Sequence, residues 1–266
     1  MNTRHFLLTL SLATLSHGAL ADTVIHFKTN APGSPESMSI KGNKVLISAP
    51  EKNGRFIMDT TSEKIVMIND QEKKYFEIDS NTIEQTASMM DVMRQTMLAQ
   101  LQNLPEEQRK ALEARLGLSS VTPPPAPKVE VKPTTSKIKV NGVPCTLTDI
   151  YTDGIKTAEA CVATTKAAGI SDADYRTMQK MFRLSKKLAE KSAKMTGPAA
   201  GKFAKSLTPE LDGFPMQVRD LRNGNQVIVS KIETPKLTEK AFQPGKNYQK
   251  FNPMQEIQRM MGEQRR

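Results

Sequence analysis

Apolar positions between residues 22 and 79 recur in short runs separated by turn residues, a pattern that predicts a meander of strands. Val24-Ile25-His26-Phe27 opens it. Met38-Ser39-Ile40-Lys41 and Lys44-Val45-Leu46-Ile47-Ser48 flank a Gly42-Asn43 turn as a hairpin. After a turn over residues 50–54, Arg55–Asp59, Lys64–Ile68 and Lys73–Asp79 continue the meander. Runs such as Val45-Leu46-Ile47 put apolar side chains on both faces, as a sheet covered on both sides requires.

From Ser80 the period changes from two to about 3.6. Ile83, Ala87, Met90, Met93, Met97, Leu101 and Leu104 fall on one stripe, which predicts an amphipathic helix with Ser80 as its cap. Pro105 interrupts it. Glu106 and Glu107, followed by Arg115 and Gly117, mark a second short helix by charge placement and terminal glycine. The Pro-rich stretch 119–136 reads as an extended loop inside one domain.

Lys137–Val140 begins the second half. A turn at Thr152-Asp153-Gly154, with Gly154 left-handed, centres the next hairpin on Asp153 and places Cys145 opposite Cys161. A disulfide there closes a loop worth about 3 kcal/mol in chain entropy. Residues 171–195 form a further helix. Tyr175, Met178, Phe182, Leu184 and Leu188 lie on its apolar side, with Lys180, Arg183, Lys187, Lys191 and Lys194 largely away from it. A second hairpin joins Gln217–Leu221 to Val227–Ile232 through Asn223-Gly224-Asn225. Ala241–Phe251 closes the domain, and 253–266 reads as a basic tail.

Residues 1–21 stand apart from this pattern. Arg4, the apolar run from Phe6 to Leu15 and Ala19-Leu20-Ala21 form the three parts of a cleavable secretory leader. Export to the periplasm as a soluble protein follows as the expectation, with Asp22 as the first mature residue. Cleavage removes Arg4 and no acid, taking the net charge from +10 to +9. In that compartment the positive charge suits an anionic membrane surface or an envelope protein, and nucleic acid is not an expected partner. The leader also takes His5 and His17, leaving His26 as the only imidazole. Triads, Cys–His dyads and His-rich zinc sites thereby lose their usual base or ligand. The expectation is a protein that is not an enzyme and carries no cofactor or metal. Four methionines on or near one helix face could hold Cu(I) through soft thioethers. An apolar packing surface is the preferred reading, since methionine fills irregular gaps.

Three short segments carry a resemblance. They are Gln100-Leu101-Gln102-Asn103-Leu104-Pro105-Glu106-Glu107-Gln108-Arg109, then Gly142-Val143-Pro144-Cys145 with Cys161-Val162-Ala163 on the return strand, and Phe242-Gln243-Pro244-Gly245-Lys246-Asn247-Tyr248. Together they resemble a family of exported bacterial domains of unknown function, itself similar in architecture to the periplasmic lipoprotein-carrier half-barrel. Asn247 interrupts the final Gly-Tyr of that pattern, and the Pro-rich insert departs from a compact carrier. The resemblance implies a curved antiparallel sheet with helices on its concave side, a lipid-like cavity between them and no catalytic residues.

The fold class expected is therefore α+β: one half-barrel domain over residues 22–252, covered by helices. The expected function is non-catalytic binding of an apolar or acyl ligand. An envelope protein-interaction module with a filled core is the alternative, and methionine-based copper binding a third. Met90, Met93, Met97 and Leu101 are the candidates lining the cavity from the helix side. Phe56, Met58, Val66 and Ile68 are the sheet candidates, with the inward face left open. An enclosed void of about 300 Å³ or more beneath the methionine helix separates ligand binding from a filled core.

Overall fold

The computed structural model describes residues 22–31, 34–49, 54–102, 104–115, 127–196 and 211–252. The expected leader, the basic tail and part of the Pro-rich stretch (residues 119–126) lie outside them. The first six strands fall where the pattern predicts: β1 (Thr23–Thr29), β2 (Ser37–Lys41), β3 (Lys44–Ala49), β4 (Gly54–Asp59), β5 (Lys64–Asn69) and β6 (Lys74–Ile78). Helices α1 (Ser80–Leu101) and α2 (Glu106–Arg115) follow. The N-cap of α1 is Asp79 rather than Ser80: its carboxylate accepts from the Thr82 amide at 2.7 Å. That bond holds the Asp79 carboxyl below its ordinary range.

The second half contains β7 (Val129–Val140), β8 (Val143–Thr152), β9 (Ile155–Ala163), the short α3 (Thr165–Ala168), α4 (Asp172–Thr196), β10 (Phe214–Asp220) and β11 (Gln226–Glu233). A 3-10 turn at Glu239–Phe242 and the two-residue β12 (Gln249–Lys250) complete it. β7 corrects the expectation of a loop over 119–136, because the strand begins at Val129 and runs through Pro133. Pro133 is tolerated because β7 is the last strand of the sheet and its register shifts between Pro133 and Lys137. The bulge is satisfied by Thr134, whose hydroxyl donates to the Leu147 carbonyl at 2.8 Å.

All strands among the described residues join one 12-stranded sheet in the order β12-β6-β5-β4-β3-β2-β1-β11-β10-β9-β8-β7. Every neighbouring pair is antiparallel except β12 with β6. The chain thus starts mid-sheet, winds out to β6, crosses through α1 and α2 to the far edge at β7, and winds back to pair β11 with β1. Asn141, in the β7–β8 turn, donates its side-chain amide to the Val229 carbonyl of β11, three strands away in sheet order.

The two faces carry separate cores. On one, Ile25, Ile40, Val45, Met58, Cys161, Phe214 and Met216 pack with Met178, Met181, Leu184 and Leu188 of α4 and Ile83 of α1. On the other, Leu46, Ile57, Ile68 and Phe242 form a smaller cluster. Polar bonds fix α4 to its face. The Thr23 hydroxyl donates to buried Asp174 at 2.6 Å, Thr177 donates to the Gly42 carbonyl at 2.7 Å, and the Tyr175 hydroxyl donates to the Gly213 carbonyl at 3.0 Å.

The C-terminal segment is a strap over the second face. The Leu237 amide donates to the Asp22 carboxylate at 2.7 Å, and Tyr248 donates to Asp70 at 2.7 Å. Arg55 holds the same Asp70 through two bonds of 2.7 Å. Gly245 is required where it stands, since a Cβ there would lie 2.5 Å from the Tyr248 ring.

The disulfide forms between Cys145 and Cys161, with Cα atoms 5.3 Å apart, but not by the expected register. The turn is the two-residue pair Asp153-Gly154, both at positive φ (52° and 81°), as a type I′ hairpin requires. With a further shift between Ile150 and Tyr151, Leu147 rather than Cys145 faces Cys161. The bond therefore runs diagonally, from two residues along the partner strand.

Candidate functional site

Strand register sorts the sheet candidates into two pairs. Met58 faces Ile65 and Ile57 faces Val66, so Phe56 and Met58 lie on the α4 face while Val66 and Ile68 lie on the strap face. Met58 belongs to the larger core and is buried, and Phe56 is half-buried. Ile68 is buried under Phe242, with Val66 packed beside it. The four do not meet in one cavity wall. Leu101 is buried at the end of α1, a helix that contacts α4 and β6. The side chains of Met90, Met93 and Met97 lie outside the described residues, and the copper reading with them.

An open cleft of about 220 Å³ lies elsewhere, on β7 to β10. Ile138 faces Cys145, Leu147 faces Cys161, Gln217 faces Cys161 and Arg219 faces Glu159. Alternation along the strands then puts all of these side chains on the disulfide face. Ile138, Leu147, Ala160 and Cys161 supply the apolar lining, and Glu159, Gln217 and Arg219 the polar one. Ile138 is 40% exposed. The Cys145–Cys161 bond ties β8 to β9 beneath the apolar part.

The polar rim is a network of fixed charges. Lys156 donates to Asp149 at 2.8 Å and to Glu159 at 2.7 Å, and Arg219 reaches Glu159 at 2.6 Å. Hydrogen bonds from Lys156 first, then Arg219, hold the Glu159 carboxyl below its ordinary range. Those from Asp149 and Glu159 push the Lys156 ammonium up. Both groups are therefore charged near neutral pH. Among the described residues no three His, Cys, Asp or Glu side chains gather as a metal ligand set.

None of the cleft residues except Cys161 stands out in the sequence. Ile138 and Leu147 read as ordinary alternating strand residues, and Arg219 as one charge among many. Only the cross-strand register, which depends on bulges, brings them together. The chain matches no protein-family model, no curated protein and no solved structure. The fold and the cleft alone define the class: a largely β protein built on one open sheet with a small amphipathic cleft. No helix among the described residues is long and apolar enough to cross a membrane.

Proposed function

We propose that the chain is an exported, non-catalytic binding protein of the periplasm that holds an apolar, acyl-type ligand on the disulfide face of its sheet. The observation that carries this reading is the cleft over β7–β10, in which Ile138 and Leu147 offer an apolar floor beside the Glu159–Arg219 pair. An acyl chain suits the floor and a polar headgroup the charged rim. The volume of about 220 Å³ falls below the range of about 300–1,000 Å³ for enclosed pockets, so the cleft takes part of a chain and leaves the rest in solvent. The disulfide and the leader pattern both agree with export. The half-barrel expectation draws support from the Asn141–Val229 bond, which brings the β7–β8 turn over to β11. It also agrees with the resemblance to exported half-barrel carriers.

The test is displacement of a fluorescent long-chain fatty acid from the mature protein, native against Ile138→Glu. Ile138 is exposed enough for the change to leave the core intact. Burial of an aliphatic side chain by ligand is worth about 1.5–3 kcal/mol, so the variant should bind the probe at least about tenfold more weakly. Equal affinity in the two proteins would sink the reading.

A protein-interaction module is the second reading, favoured by the open edge of β7 with Val129 46% exposed. Lys132, Lys137, Lys139, Pro133 and the bulge all blunt that edge against added strands, which places this reading second.

A further inference from the structure

The basic side of α4 has no part in the cleft. Arg176, Lys180, Arg183 and Lys187 follow steps of four, three and four, which on a helix is one continuous stripe about 16 Å long. Lys186 lies beside it, and all five are exposed. The buried side chains of the same helix, Asp174, Thr177, Met178, Met181, Leu184 and Leu188, occupy the opposite side and are fixed to the sheet. Rotation of the stripe away from solvent would break the Thr177–Gly42 and Tyr175–Gly213 bonds. Among the described residues, Arg176, Lys180, Arg183 and Lys186 make no ion pair, and only Lys187 meets an acid, Glu63 of the β4–β5 turn.

Unneutralised cations in line on a helix held rigidly to the sheet form a flat positive surface. A protein acid would have to match them one by one, whereas a bilayer carrying anionic headgroups meets all of them at once. We propose that the outward side of α4 docks on an anionic phospholipid membrane, and that docking turns the cleft toward that membrane. The second part follows from placement: α4 and the cleft share the disulfide face, so a surface laid against α4 also faces Ile138 and Leu147. This part rests on the acyl-ligand reading; the docking itself does not.

The experiment is vesicle co-sedimentation of the mature protein, with phosphatidylcholine vesicles alone and with about one third phosphatidylglycerol. The native protein should partition onto the anionic vesicles only, and the binding should fade as salt rises from about 50 to about 500 mM. Each cation near such a surface is worth about fivefold, so the triple variant Arg176→Gln, Lys180→Gln, Arg183→Gln should lose about a hundredfold in partitioning. Its circular dichroism and its affinity for the soluble fatty-acid probe should match the native protein, while Ile138→Glu should partition normally and lose the probe. Unchanged partitioning of the triple variant, or equal binding to neutral vesicles, overturns the docking and leaves the ligand reading standing. Probe transfer from anionic vesicles to protein should slow by the same factor in the triple variant. An unchanged transfer rate overturns the orientation.

Discussion

Replacing Phe242 by alanine tests whether the C-terminal strap is a single docking unit. Phe242 is 4% exposed and sits over Leu46, Ile57 and Ile68. Phe→Ala changes in cores cost about 3–5 kcal/mol, and a site roofed by a strap can collapse, so the lower end applies: about 3 kcal/mol. The other anchor is Tyr248, whose hydroxyl donates to the Asp70 carboxylate at 2.7 Å. Loss of that hydrogen bond to a charged carboxylate is the expected cost of Tyr248→Phe alone. The two anchors share one short segment, held between them by the Gly245–Tyr248 turn. If losing Phe242 releases the whole strap, Tyr248 no longer reaches Asp70, and its own removal then adds no further loss. Urea denaturation of the native protein, both single variants and the double variant gives the cycle. Additive costs would show two independent contacts. A cost below about 1 kcal/mol for Phe242→Ala would refute the cluster as the strap's main anchor.

Reduction of the Cys145–Cys161 bond, with a sequence separation of 16, should lower stability by about 3 kcal/mol, read as a drop in urea midpoint under a thiol reductant. A loss under about 1 kcal/mol would mean that the type I′ hairpin persists in the unfolded chain. Acid sensitivity has a definite sign. Asp70 is lowered chiefly by its hydrogen bond to Arg55, and Glu77 chiefly by its bond to Lys250. Carboxyls depressed in the folded state stabilise it fully above their unfolded values of about 4, and that contribution disappears as pH falls through the folded values. Thermal melting should therefore stay flat near neutrality and drop below about pH 4, and Asp70→Asn should melt lower at pH 7 with a shallower acid decline.

The six strands of the first meander and the long helices were legible because each carries its own period. β2 and β3 show the Gly42-Asn43 turn between apolar runs, and α4 shows its stripe. What escaped depends on information held elsewhere in the chain. The first part of β7, from Val129 through Pro133, was hidden because Pro133 and Lys132 suppress the apolar alternation of an edge strand, and only pairing with β8 reveals it. The disulfide pairing was legible from two cysteines, while its register was not, since one bulge after Ile150 and a shorter turn move every later partner. The split of Phe56 and Met58 from Val66 and Ile68 has the same origin. Where both faces are apolar, hydrophobicity cannot assign a side, and the assignment waits on which face meets α4 and which meets the strap.

The position of the cleft follows from a mismatch of dimensions. Twelve strands at about 4.8 Å spacing extend about 53 Å across the sheet, whereas 25-residue α4 is about 37 Å long. Its strand contacts are with β2 and β3, and α1 adds contact with β6. Met178, Met181, Leu184 and Leu188 share one core with Cys161, Phe214 and Met216 of the second meander and with Ile25, Ile40, Val45 and Met58 of the first. The opposite face of that meander is closed as well, because Phe242 covers its apolar patch while Asp70 and Glu77 each serve two strap or sheet partners. On the second meander only short α3 reaches β8 and β10 among the helices with substantial contact. Cys145, Cys161, Phe214 and Met216 of that meander are nevertheless buried in the shared core, with Leu147 packed at its margin. Ile138, on the edge strand β7, lies beyond that core and is 40% exposed. The charge network from Asp149 to Arg219 marks where the apolar surface stops.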